Sequence, residues 1–350
     1  MIDGCNDKIS NAAQVGGIET STLDNGLGRG VRIAWINTGT GLRYKVVIDR
    51  GMDITDAFYN SYSLAWLSHA GTMAPDRFSD TGMGWIRNFG GGLLTTCGLS
   101  HVGGPENDEY GNRGLHGRIS NTAAEVVSIL QPDPSAGKME MSITAIIRES
   151  QVFGPALELK RTISGKLGEP GITVNDEVVN RGNQKAPHML LYHIHFGWPL
   201  IDEGTRLLWK GKWHSPTQDS NRKIFKEGND FKTCKAPMPA HSGTGEDVAF
   251  IDIEAHNGIA TCGVYNEKLD LALAVIFPKK QLPWLVNWQH WGKNEYVTAL
   301  EPATNPPIGQ RKAREEGSLI FLEPSEVRSY TLTIKILDTS EIEQFINSFK

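Results

Sequence analysis

In Leu190-Leu-Tyr-His-Ile-His-Phe-Gly-Trp198, apolar residues run almost unbroken around two histidines. Read as a strand, the segment sends His193 and His195 to one face and Tyr192, Ile194 and Phe196 to the other, because side chains alternate along an extended backbone. Two imidazoles on so apolar a strand are costly to bury unless they meet partners. A paired H-x-H therefore points to a site, one that either binds metal or moves protons.

The same alternation recurs outward from this segment. Val31, Ile33 and Trp35 share one face of 31–36, and Tyr330, Leu332, Ile334 and Ile336 alternate with polar residues near the C-terminus. The stretches 139–147, 171–179, 249–253 and 271–277 also read as strands rich in β-branched residues. Glycine, with 38 residues, and proline, with 17, separate them with turns. One helix signal stands at the C-terminus, where Ser340 and Glu343 have capping-box spacing and Ile342, Phe345 and Ile346 share a helical face. Two long stretches, 59–92 and 210–245, read as functional or lid-like loops. Strands that do not alternate with helices exclude a doubly wound or TIM-barrel plan and leave an all-β sandwich or barrel of large stacked antiparallel sheets. With no repeat or linker, residues 1–350 read as a single domain, with 1–16 a loosely ordered N-terminal segment.

The net charge of −5 in 350 residues argues against a nucleic-acid partner. Cys5, Cys97, Cys234 and Cys262 have no metal spacing and read as reduced, partly buried thiols. No apolar run approaches the ~20 residues of a spanning helix, and the polar N-terminus does not read as a signal peptide. A cytoplasmic protein with no membrane partner is the expectation; the sequence is silent on oligomeric state.

Two further segments carry chemistry. In Tyr110-Gly-Asn-Arg-Gly-Leu-His-Gly-Arg118, glycines flank His116 and let the backbone approach a ligand. In Val297-Thr-Ala-Leu-Glu-Pro-Ala-Thr-Asn305, Glu301 closes an apolar strand just before Pro302. Taken in order, Leu115-His116-Gly117, His193 with Phe196, and Leu300-Glu301-Pro302 resemble the galactose mutarotase-like (aldose 1-epimerase) superfamily. Tyr192 stands where that family usually has Asn. The segments Asp49-Arg-Gly-Met-Asp-Ile54, Gly91-Gly-Leu-Leu-Thr-Thr-Cys-Gly-Leu99 and Phe196-Gly-Trp-Pro-Leu200 look like an uncharacterised bacterial branch of it, of the DUF4432 type. The resemblance runs from about Gly17 to the C-terminus.

The resemblance implies a β-supersandwich holding a small-molecule sugar in an open concave face, with no cofactor. It implies Glu301 as general base, His193 as general acid, and His116 orienting the sugar or assisting the acid. His195, Asn112, Arg50, Arg113, Arg118, Trp288 and Trp291 are candidate substrate-binding residues, with Trp284 and His290 in the same aromatic cluster. The family's arginine before Leu-His-Gly is missing here, and its later aspartate has only Asp202 and Asp230 as candidates. The implied reaction is mutarotation: a base takes the O1 proton, an acid protonates O5, and the ring opens and recloses on the other face. Ordinary pKa values near 4.3 and 6.5 would leave Glu301 ionised and His193 partly protonated at neutral pH. Two alternatives stay open: a non-catalytic sugar-binding protein, and a lyase or metal-assisted isomerase using His193 and His195. No metal is expected, since carboxylate spacing after H-x-H fails the cupin pattern.

Overall fold

The computed structural model describes residues 8–76, 79–216 and 224–350. Strands dominate, as the alternation requires. The expected segments form Arg32–Asn37, Glu140–Ser150, Gly171–Asn180, Asp247–Ile253, Leu271–Pro278 and Val327–Leu337. Arg32–Asn37 lies in a five-stranded sheet over Gly17–Ser63, the others lie in a nine-stranded and an eight-stranded sheet, and Glu106–Arg113 forms a two-stranded hairpin. Every pairing between named strands is antiparallel. The fold is mainly β, with an architecture of stacked antiparallel sheets.

The main core lies between the two large sheets. Ile143, Leu159, Val174 and Leu332 from the nine-stranded sheet pack in one cluster with Leu190, Tyr192, Leu285 and Leu300 from the eight-stranded sheet. A second cluster lies on the other face of the eight-stranded sheet, with Cys97, Met189, Leu191, Val286 and Ala303 packed beside Trp85. Period-2 alternation therefore divides strand Ala186–His193 between two environments: Leu190 and Tyr192 face the inter-sheet core, while Leu191 and His193 face outward.

Between the sheets sits a buried ionic network. Arg161 is fully buried, and its Nε and Nη2 donate to Asp176 at 2.9 and 2.6 Å. Nη1 donates to Thr96 Oγ1 at 2.7 Å and Gly51 O at 3.0 Å, and reaches Asp53 at 3.4 Å. Asp53 accepts from both the amide and the hydroxyl of Thr96, at 3.0 and 2.6 Å. Tyr192 closes the network by donating its hydroxyl to Asp176 at 2.7 Å. Burial pushes the Asp53 carboxyl up to about 6, against the pull of Arg161 and Thr96. The Asp49–Ile54 motif thus has a structural task in joining the five-stranded sheet to the two large ones.

Three local readings are corrected. The C-terminal helix is Thr339–Asn347, but its capping box is Asp338 with Glu341, not Ser340 with Glu343. The Asp338 carboxylate accepts from the amides of both Ser340 and Glu341, so the charged acceptor sets the frame. A second helix, Gly309–Glu315, carries no clear signal in the sequence. Within 210–245 a strand, Gly211–His214, pairs with Asp247–Ile253; residues 217–223 lie outside the described residues. The segment 59–92 is loop-like as expected apart from the short strand Tyr62–Ser63, and its described residues include a 3-10 turn at Gly84–Asn88. Cys97, Cys234 and Cys262 are free and buried; Cys5 and the first residues of 1–16 lie outside the described residues. Among the described residues, no helix is long and apolar enough to cross a membrane.

Removing one partner of a buried charge network leaves the others uncompensated. Arg161→Leu is expected to cost about 3–5 kcal/mol of stability. Denaturant unfolding checks this: the midpoint falls sharply, and a loss below about 1 kcal/mol would show that the network contributes little.

Candidate functional site

His193, Glu301 and His116 meet on the outward face of the eight-stranded sheet. Strand Glu295–Ala303 pairs with Trp284–Gly292, so that Val286 stands opposite Glu301 and Trp288 opposite Ala299. His195 pairs with Ala299 on the same strand. Glu301 lies inside its strand rather than at its end, as a buried carboxyl with 3 % of its surface exposed. His193 Nδ1 is 3.2 Å from Glu301 Oε1. The contact lacks hydrogen-bond alignment, and both atoms are fully enclosed without another partner. At this distance no other group fits between the two atoms.

His195 stacks on His193, with ring centroids 4.1 Å apart and planes 26° apart. Its Nδ1 contacts the Gly92 carbonyl at 2.9 Å. A carbonyl only accepts, so Nδ1 carries the hydrogen and Nε2 presents a lone pair, buried and unpartnered. His116 approaches His193 edge-on, at 6.1 Å. It sits in the left-handed region, φ 57°, followed by Gly117 at φ 73°. A Cβ on Gly117 would lie 2.4 Å from the Gly98 carbonyl, so glycine is required for this turn to touch strand Thr95–Leu99. The His116 ring is half-buried while its Nδ1 is enclosed and unpartnered.

Aromatic side chains wall the cluster. From the 59–92 connection, Trp85 lies parallel to His193 at 6.4 Å and edge-on to His116 at 5.0 Å, while Phe89 reaches His195 at 5.0 Å. Trp288 meets His193 edge-on at 5.6 Å and donates Nε1–H to Glu246 at 2.7 Å. Sequence reasoning misses Glu246; its only signal is its place just before a strand that pairs beside Trp288.

Electrostatics reverse the expected protonation. Burial, with a smaller push from Glu246, raises the Glu301 carboxyl well above its usual range. Burial, followed by the neighbouring His195 and His116, holds His193 well below the usual imidazole value. Burial also lowers His195 to about 3 and His116 to about 4, the latter helped by His101. These directions run against the ionised Glu301 and partly protonated His193 that ordinary values would give.

Several expected ligands face elsewhere. Trp291 is fully buried and donates Nε1–H to Gln289 at 3.1 Å. Trp288 and Trp291 are three residues apart, an odd step that puts them on opposite faces. Arg50 donates to the carbonyls of Ser120 at 2.6 Å, Asn88 at 2.9 Å and Met73 at 3.4 Å. With Trp85, Phe89 and Thr95, Arg50 lines a cavity of about 30 Å³, room for about one water. Arg113 is held by Glu106 and Asp108, Arg118 by the Ser150 carbonyl, and Asn112 lies exposed on the 106–113 hairpin. Asp202 pairs with Lys268, and Asp230 with Lys235. Trp284 and His290 share the outward face with Trp288. Among the described residues, no group of three or more His, Cys, Asp or Glu is arranged to hold a metal ion.

A family model described as a domain of unknown function, DUF4432, matches residues 28–336. The chain belongs to the DUF4432 family. No curated protein matches it. Solved structures do resemble this DUF4432 protein. A Klebsiella pneumoniae protein proposed to be an aldose 1-epimerase superposes with TM-score 0.85 at 22 % identity, over 95 % of this chain and 86 % of that one. A galactose mutarotase-like protein from Clostridium acetobutylicum gives TM-score 0.62 at 13 % identity, over 93 % and 99 %. A galactose 1-epimerase from Lactobacillus acidophilus gives TM-score 0.60 at 13 % identity, over 91 % and 98 %. At these identities the likeness establishes the fold, and the DUF4432 chain has the galactose mutarotase-like fold.

The raised Glu301 pKa carries a stability consequence. Below the unfolded value, near 4.3, the group is protonated in both states and imposes nothing. As pH rises toward the folded value, the unfolded chain ionises while the native chain resists, so native stability falls. His193 has the opposite sign, losing stability as pH drops below about 6.5. Glu301→Gln is therefore expected to be more stable than the parent at about pH 7 and equal to it near pH 4. The gain is about 1.4 kcal/mol for every tenfold difference in proton affinity between the folded and unfolded carboxyl. Thermal melts across pH check this; an equal or lower melting temperature at neutral pH would contradict it.

Proposed function

We propose that this protein is an aldose 1-epimerase-like isomerase that interconverts the anomers of a sugar by acid–base catalysis. One observation carries the reading. Glu301 Oε1, His193 Nδ1, His195 Nε2 and His116 Nδ1 are enclosed and lack hydrogen-bond partners within one aromatic-walled cluster. Buried polar atoms without partners destabilise a fold, and a cluster of them fits a place where chemistry is done. Mutarotation asks for one proton acceptor and one donor near the O5–C1–O1 unit, and Nε2 of His193 with Oε2 of Glu301 supply such a pair. The half-buried Trp288 offers an aromatic face to a pyranose. The reaction needs no cofactor. The domain carrying it spans 1–350, since one core cluster draws on residues from Ile18 to Ile336.

A second reading, sugar binding without turnover, is favoured by one observation: Arg50, Arg113 and Arg118 are already engaged by protein oxygens. Polarimetry or proton NMR on freshly dissolved single anomers, across a panel of aldoses, separates the two. Acceleration over buffer is expected for at least one sugar, and Glu301→Gln is expected to lower it at least ~10²-fold. Calorimetric binding with no acceleration for any sugar would replace the isomerase with the binding protein.

A further inference from the structure

From the cross-strand rows of the eight-stranded sheet, we propose that the candidate site continues into a second, aromatic subsite at Trp284 and His214, which takes a second sugar unit. The substrate is then a reducing di- or oligosaccharide with its reducing unit at Glu301. The position of that reducing unit rests on the isomerase reading; the existence of the subsite does not.

One row crosses four strands. Glu301 stands opposite Val286, Val286 opposite Phe250, and Phe250 opposite His214 on strand Gly211–His214. Directly opposed residues of antiparallel strands project to the same side, so all four share the outward face of the candidate site. Three strand spacings of about 4.8 Å place His214 roughly 14 Å from Glu301, a span longer than one pyranose ring. The next row along the sheet reads Ala303, Trp284, Asp252 and Lys212. Strand Gly211–His214 is the last strand at its end of the sheet order, so both rows run from the site to the rim. A chain longer than one unit has an open side by which to leave.

Trp284 and Trp288 are four residues apart on one strand, an even step that keeps both on this face and sets them about 13 Å apart. Both are half-buried, while Val286 between them is buried. Their rings serve different neighbours. Trp288 meets His193 edge-on at 5.6 Å, whereas Trp284 meets His214 edge-on at 6.3 Å. His214 also stands at 90° to the buried Phe250 ring, 5.6 Å away. A sugar unit asks for an apolar surface under its C–H face and polar groups at its edge. Trp284 supplies the first. The exposed His214, Lys212 and Asp252 supply the second, the last paired with Lys279 at 2.7 Å.

Calorimetric titration of the full chain compares maltose, cellobiose and lactose with glucose and galactose. At least one disaccharide is expected to bind about three- to tenfold more tightly than either monosaccharide, the gain from one added ring contact. His214→Ala, at an exposed position, is expected to bring that ratio toward one, and Trp284→Leu to abolish it. Should Trp284→Leu fail to fold, His214→Ala carries the test by itself. Disaccharides that bind no more tightly than the monosaccharides, or a ratio that His214→Ala leaves intact, would overturn the subsite. Were this face a contact with a second copy of the chain, His214→Ala would shift sedimentation toward monomer and leave sugar affinities unchanged, which also overturns it. Titration reads binding whether or not anomers exchange. Exchange in glucose or galactose without a disaccharide preference removes this subsite alone, and a preference without exchange removes the isomerase alone.

Discussion

One residue step along strand Ala186–His193 separates the clamp that joins the sheets from the group that faces the candidate site. Tyr192 points inward and donates to Asp176 within the Arg161 network; His193 points outward to Glu301. The same step divides strand Thr95–Leu99, where Thr96 holds Asp53 while Thr95 lies opposite His193 in the register. A register slip of one residue would exchange the two faces, burying imidazole among the ions and sending Tyr192 to the surface. The network therefore does more than offset its own desolvation. It makes a single register the one in which every buried charge has a partner.

The fold was legible because it is written as alternation, and the family because its three motifs keep their order along the chain. The site was legible in part. His193, His195, His116 and Glu301 come from separate stretches of sequence and do converge. Trp291 was misplaced for a reason the sequence already contained, since an odd step on a strand changes face. Glu246 was not legible, because its role depends on a strand pairing across about forty residues. Arg50 was misread because a cation in a motif suggests a ligand, whereas here three carbonyls use it. The protonation states were the least legible feature. They follow from burial, and burial comes largely from Trp85 and Phe89 in a stretch with no regular pattern.

Burial is also where stability and chemistry pull apart. Enclosed heteroatoms without partners weaken the native state. The other face of the sheet is tightly packed, and three of the four groups, Glu301, His193 and His195, sit on its strands, with His116 on a turn held against strand Thr95–Leu99. Rigid placement would suit the proposed reaction, in which donor and acceptor need not travel to meet a ligand.

The aromatic wall arises differently. Trp85 and Phe89 belong to a connection held mainly by side chains, among them Arg50 on the Met73 and Asn88 carbonyls and Ser68 on the Phe89 carbonyl. The molecule thus keeps the histidine–glutamate cluster and its aromatic wall on separately anchored parts. A lineage of such proteins could exchange the wall like an interchangeable faceplate, acquiring a taste for differently decorated substrates while the proton-handling strands pass unchanged from one descendant to the next.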